Sequence, residues 1–88
     1  MKLMIAIVNN DDYDKIARKL MDEEYRVTII ASTGGFFRKG STTLLIGTEE
    51  ERIDRAVEII KSNSSITEGT GAQKAAIFVV NIKEYIRL

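Results

Sequence analysis

The sequence predicts a single domain of the α+β class, in which a four-stranded antiparallel sheet carries two helices on one of its faces. Two observations predict it. Apolar residues recur at strand or helix spacing in six segments, in the order β-α-β-β-α-β. Right-handed crossovers fold that order most simply into a split βαβ arrangement, with the first and third strands in the middle of the sheet.

The first predicted strand, Lys2 to Val8, is apolar at every position after Lys2, as expected of a central strand. The helix that follows has capping candidates before it and apolar residues at helical spacing. The capping candidates are Asn10, Asp11 and Asp12, and the apolar stripe comprises Tyr13, Ile16, Ala17, Leu20 and Met21.

The second predicted strand runs from Tyr25 to Ser32, and its alternation separates an apolar core face from a second face. The core face comprises Tyr25, Val27, Ile29 and Ala31, and the other face comprises Arg26, Thr28, Ile30 and Ser32.

The third predicted strand runs from Ser41 to Gly47, and Thr48 with Glu51 has the spacing of a capping box at the start of the second helix. The apolar stripe of that helix comprises Ile53, Ala56, Val57 and Ile60. Residues 62–74 are polar and contain glycine, which predicts a loop. Ala75 to Ile82 is the last predicted strand, and residues 83–88 form a tail.

The predicted fold is ferredoxin-like, and its two helices can cover only one face of the sheet. The first and third strands are nevertheless apolar on both faces. An uncovered apolar sheet face is unusual on a monomer, so we expect it to pack against other copies of the chain.

Composition excludes several classes of function. Thirteen basic and 13 acidic residues cancel, which argues against duplex DNA or an anionic membrane as partner. The chain has no cysteine and no histidine, so a thiolate nucleophile, the commonest neutral-pH base and the commonest metal ligand are missing. The acidic residues before the first helix are interpreted as caps, not as a metal site. The apolar N-terminal run lacks a signal-peptide pattern, and a cytoplasmic, non-catalytic protein is expected.

The connection between the second and third strands concentrates features that suit a nucleotide. Adjacent glycines, Gly34 and Gly35, let backbone N–H groups point into one concavity that accepts a phosphate. Phe36 and Phe37 offer rings on which a base can stack. Arg26, with Thr28, projects from the strand leading into this loop and can add a guanidinium to the same anion.

Three segments of the chain resemble the PII-like cyclic di-AMP receptor family, the DarA- or PstA-like proteins. The segments are MKLMIAIVNNDD, YRVTIIASTGGFFRKGSTTLLIGTEEERID and AAIFVVNIKEYIRL. The most specific feature is Thr33-Gly34-Gly35-Phe36 followed by Gly40-Ser41-Thr42-Thr43. The resemblance covers nearly the whole chain except residues 62–74, which are shorter than the B-loop of the family.

The resemblance implies a PII-like homotrimer that binds cyclic di-AMP in clefts between subunits, without a cofactor and without catalysis. It assigns ligand-binding roles by position. The implied residues are Arg26, Thr28, Thr33, Gly34, Gly35, Phe36, Phe37, Ser41 and Gly47. Ser41 replaces an asparagine that is usual in the family.

Two alternatives remain open from the sequence. A trimeric structural or protein-interaction module that has lost its ligand would fit the shortened loop. An RNA-binding domain has the same order of strands and helices, but here the Phe pair precedes the third strand and there is no excess of basic residues.

Overall fold

The computed structural model describes residues 1–30, 40–64, 75–84, 86 and 88, and its elements follow the predicted order. A short 3₁₀ turn, Glu50–Arg52, precedes the second helix. The strands and helices are β1 Lys2–Asn9, α1 Tyr13–Asp22, β2 Arg26–Ile30, β3 Ser41–Thr48, α2 Ile53–Ser62 and β4 Ala75–Asn81.

The strand order is β2-β3-β1-β4, and all three neighbouring pairs are antiparallel. The prediction that the first and third strands occupy the centre is therefore confirmed. Directly paired residues of antiparallel strands project to the same face, so the register fixes which side chains meet. In particular, Gly47 lies between Leu3 of β1 and Arg26 of β2.

One face of the sheet carries both helices and the core. Alternate residues of the central strands, with the apolar stripes of α1 and α2, form a single buried cluster. Its members are Met4, Ala6, Val8, Ile16, Leu20, Tyr25, Leu44, Ile46, Ala56, Ile59 and Ile60. Within the described part of the chain, neither helix is long and apolar enough to cross a membrane.

The predicted buried stripe of α1 extends one residue too far. Met21 is 48% exposed, whereas Leu20 is fully buried. Each residue of an α-helix advances by about 100° around the axis, so Met21 lies at the margin of the face that Ile16 and Leu20 bury. Met21 therefore lies outside the core although its side chain is apolar.

The predicted capping box at the second helix is wrong. Thr48 is the last residue of β3 and pairs with Lys2, so it cannot act as an N-cap. Its hydroxyl is buried and has no hydrogen-bond partner among the described residues. The α-helix begins only at Ile53, after the 3₁₀ turn. At α1 the N-cap is Asp12, as predicted, but its side chain makes no capping hydrogen bond.

A clasp of polar contacts ties the turn before β2 to the start of α2. The Tyr25 hydroxyl donates to the carbonyl oxygen of Arg52 at 2.9 Å, and the Arg52 guanidinium lies 4.0 Å from the centroid of the Tyr25 ring. Arg52 also donates to the carbonyl oxygen of Glu23. Arg55 donates to both carboxylate oxygens of Glu23, at 2.9 and 2.6 Å, and these hydrogen bonds lower the pKa of that carboxyl. The clasp fixes the point at which β2 begins.

Candidate functional site

The sheet face opposite the helices is largely apolar and only partly covered. The register of the four strands places Leu3, Ile5 and Leu45 on this open face, together with Phe78 and Val80 of β4. Phe78 is 56% exposed and Val80 is 44% exposed. The two-sided apolar character that the sequence indicates for β1 and β3 is thus present in the structure, and neither of the described helices covers the open face.

A cavity of about 360 Å³ lies at one end of the open face. It is lined by Met1, Leu3, Arg26, Thr28, Leu45, Gly47, Ile82 and Glu84. The cavity exists at this position because Gly47 contributes no side chain between two neighbouring strands. A Cβ atom built on Gly47 would meet nothing within 4 Å.

The polar groups of this cavity are a guanidinium, a hydroxyl and a carboxylate, set among apolar side chains. They belong to Arg26, Thr28 and Glu84. Arg26 is exposed and forms no ion pair or side-chain hydrogen bond in the described part of the chain. A guanidinium offers five N–H donors and no acceptor, so an unpaired one suits an anionic group with several acceptor oxygens.

A second cavity of about 270 Å³ adjoins the first around the end of the sheet. Met1, Arg26 and Gly47 line both cavities. The second cavity adds Glu24, Thr48, Glu49 and Arg52 to these three residues. Arg26 therefore stands at the boundary between two concave regions and is reachable from both.

Local structure explains why Arg26 projects to the open face. The preceding residue, Tyr25, is 4% exposed and belongs to the core on the helix side. Successive residues of a strand point to opposite faces, so burial of Tyr25 directs Arg26 and then Thr28 away from the helices. Pairing of Arg26 with Gly47 brings the guanidinium to the cavity that the glycine leaves.

The structure brings three of the residues predicted from sequence together and keeps one apart. Arg26, Thr28 and Gly47 line the same cavity. Ser41 is buried at the opposite end of β3 and pairs with Asn9, roughly 20 Å along the strand from Gly47. The remaining predicted residues, Thr33, Gly34, Gly35, Phe36 and Phe37, lie outside the described residues.

Sequence reasoning missed Glu84 and the apolar floor of the cavity. Leu3 and Leu45 fall on the open face by simple alternation, so a signal for them was present in the sequence. Glu84 lies beyond the last strand, where no periodicity assigns a direction to a side chain. Only the tertiary position of the segment after β4 brings it to the cavity.

The lining residues suit recognition of an anionic ligand. A cation, a hydroxyl and a carboxylate next to leucine side chains can hold an anionic group attached to a flat, weakly polar body.

Comparison with solved structures supports the same architecture. The crystal structure of a functionally unknown protein from Pediococcus pentosaceus ATCC 25745 is similar to this chain, with 32% sequence identity and a TM-score of 0.78. The similarity covers 99% of this chain and 96% of that one. This relative agrees with the fold and carries no functional information.

Comparison with protein families identifies the chain more closely. The model of the family described as "Cyclic-di-AMP receptor" matches residues 1–87. The match confirms the resemblance that the Thr-Gly-Gly-Phe segment and its flanking strands indicate. The chain therefore belongs to the cyclic-di-AMP receptor family.

Proposed function

We propose that this protein is a PII-like signalling receptor that binds cyclic di-AMP, or a closely related nucleotide, in the open-face cavity. One observation carries the proposal: the cavity gathers Arg26, Thr28 and Gly47, three residues that the family resemblance assigns to the ligand site. Membership of the cyclic-di-AMP receptor family supports the class of ligand.

The chemistry of the cavity fits a phosphodiester joined to a nucleoside. The free guanidinium of Arg26 can donate two parallel hydrogen bonds to phosphate oxygens, and the hydroxyl of Thr28 can donate a third. Leu3 and Leu45 offer an apolar surface to a sugar or a base. Gly47 permits the ligand to approach the backbone of β3, because no Cβ occupies that space.

The proposal includes a homotrimer with ligand sites at the interfaces between subunits. The exposed apolar side chains of the open face, including Ile30 and Phe78, support association of copies through that face. Ser41, which is buried and remote from the cavity of its own chain, is left out of the proposed site. We place the receptor in the cytoplasm, where such a signalling nucleotide would be sensed.

The proposed role is binding without catalysis. The described lining of the cavity offers no nucleophile held by a general base, which supports a receptor over an enzyme. A ligand signal then reaches a partner protein through the assembled trimer.

Isothermal titration with cyclic di-AMP tests the proposal. The wild type is expected to bind with measurable heat, and Arg26→Ala is expected to weaken binding at least about tenfold, because a charge-assisted pair with phosphate is lost. Arg18→Ala is the matched control, since Arg18 is an exposed arginine on α1 that pairs with Asp14 and lines neither cavity. Absence of heat from the wild type at high micromolar ligand would refute the proposal.

The second candidate is a structural or protein-interaction trimer that has lost its ligand. The exposed apolar open face favours assembly whether or not a nucleotide is bound. Analytical ultracentrifugation alongside the titration separates the two. A trimer that gives no heat with cyclic di-AMP supports this second candidate, whereas monomers that bind the nucleotide would refute the interfacial site.

A further inference from the structure

The segment that follows β4 is held against the start of β1, and this places Glu84 in the lining of the open-face cavity. The backbone N–H of Ile82 donates to the carbonyl oxygen of Met1 at 3.1 Å. Ile82 and Glu84 then both line the cavity, together with Met1. Glu84 thus lines the same concave surface as Arg26, although the two are 58 positions apart in the sequence.

Glu84 does not serve as the ion-pair partner of Arg26. Neither side chain forms an ion pair with the other, and neither forms one with any other described residue. Both side chains belong to exposed residues, so burial does not force them together. The cavity therefore presents separate sites of opposite charge to whatever enters it.

A nucleotide phosphate cannot be the group that Glu84 receives. A phosphodiester has acceptor oxygens only, and a carboxylate is also an acceptor, so the two repel and share no hydrogen bond. The groups of a nucleotide that a carboxylate does accept are N–H and O–H donors. A cyclic dinucleotide carries these donors on its ribose, as a free hydroxyl, and on its base, as an exocyclic amine.

We propose that Glu84 determines specificity by accepting a hydrogen bond from a donor group of the nucleotide whose phosphate lies on Arg26. The inference rests on the proposed function, because it takes the open-face cavity as the nucleotide site. Arg26 selects for negative charge, and Glu84 selects for a sugar hydroxyl or a base amine at a fixed position relative to that charge. A ligand with the charge but without the donor leaves the carboxylate desolvated and unpaired.

Three ligands distinguish the two sources of the donor. Titrations use cyclic di-AMP, its 2′-deoxyribose counterpart and its counterpart with unsubstituted purine bases, in which a hydrogen atom replaces the amine. Each is measured with the wild type, Glu84→Ala and Glu84→Gln. Glu51→Gln is the matched control, because Glu51 is an exposed glutamate that lines neither cavity.

The expected result is that Glu84→Ala weakens binding of cyclic di-AMP about tenfold or more. Glu84→Gln, which keeps a carbonyl acceptor, is expected to lie between Glu84→Ala and the wild type. Glu51→Gln is expected to match the wild type. For the analogue that lacks the recognised donor, Glu84→Ala should bind at least as tightly as the wild type, because it has no carboxylate to leave unpaired, and this identifies the donor as hydroxyl or amine.

Two outcomes would overturn the inference and leave the proposed function standing. If Glu84→Ala binds cyclic di-AMP as tightly as the wild type, or more tightly, then Glu84 accepts no hydrogen bond from the ligand. If Glu84→Ala loses the same factor for all three ligands, its effect is not recognition of either donor. Failure of the wild type to bind any of the three ligands would instead refute the proposed function, and the inference with it.

Discussion

Replacement of Gly47 by valine should have opposite effects on stability and on ligand binding. We expect the fold to become more stable and the affinity for the nucleotide to fall. Gly47 lies within β3 and does not have a positive φ, the conformation that favours glycine. A Cβ at this position meets nothing within 4 Å. A β-branched residue is therefore compatible with the strand and, by restricting the unfolded chain, should stabilise it by roughly 0.5–1 kcal/mol.

The same substitution should impair binding. The valine side chain projects between Leu3 and Arg26 into the cavity of about 360 Å³. If a nucleotide occupies that space, the overlap should cost about 1–3 kcal/mol, by analogy with overpacking of a filled site, and raise Kd roughly 5- to 150-fold. Gly47→Ala, which adds one carbon atom, should give a smaller increase.

The assay pairs urea denaturation with titration of cyclic di-AMP. Thr43→Val is the matched control, since Thr43 lies on the same strand and the same face but lines neither cavity. The reasoning is refuted if Gly47→Val keeps the wild-type Kd, because the ligand then lies elsewhere. A marked loss of stability in Gly47→Val would refute the conclusion that the space beside this residue is free.

Two further predictions concern stability. Gly40, just before β3, has a φ of +88°, a conformation in which a Cβ is disfavoured. Gly40→Ala should therefore lower the free energy of unfolding by about 1 kcal/mol. Urea denaturation that shows no loss of stability would contradict this prediction. Hydrogen bonds from Arg55 lower the pKa of Glu23, so this pair stabilises the fold above the pKa of the unfolded carboxyl, and the contribution is lost as the pH falls through the lowered value. Arg55→Met should flatten that acid dependence in thermal melts at low salt, and an unchanged pH profile would show that the pair contributes nothing measurable.

Much of the fold could be predicted from local sequence patterns, because the spacing of apolar residues in a segment indicates which of its side chains are buried. Alternation in β1 and β3 indicated central strands with two apolar faces, and the register confirms the central position. Alternation also placed Arg26 and Thr28 on the face opposite the core. These features depend only on the spacing of neighbouring residues in one segment.

The remaining features depend on contacts between distant segments, which a local pattern does not contain. The pairing of Lys2 with Thr48 extends β3 by one residue and removes the capping box that the spacing of Thr48 and Glu51 suggested. The cavity itself arises because Gly47 is in register with a leucine and an arginine from two other strands. Glu84 lines the cavity because the backbone N–H of Ile82 donates to the carbonyl oxygen of Met1 and holds the segment after β4 there.

The clasp around Tyr25 also affects the entropic cost of ligand binding at Arg26. The Tyr25 hydroxyl donates to the carbonyl oxygen of Arg52 at the end of the 3₁₀ turn, so the residue immediately before Arg26 is anchored to the start of α2. A ligand that engages the guanidinium then has to restrict mainly the side-chain torsions of one arginine, and the backbone entropy at that point has already been lost during folding. Affinity for a small anion at an otherwise exposed strand is thereby supported by a hydrogen bond on the helix side of the sheet.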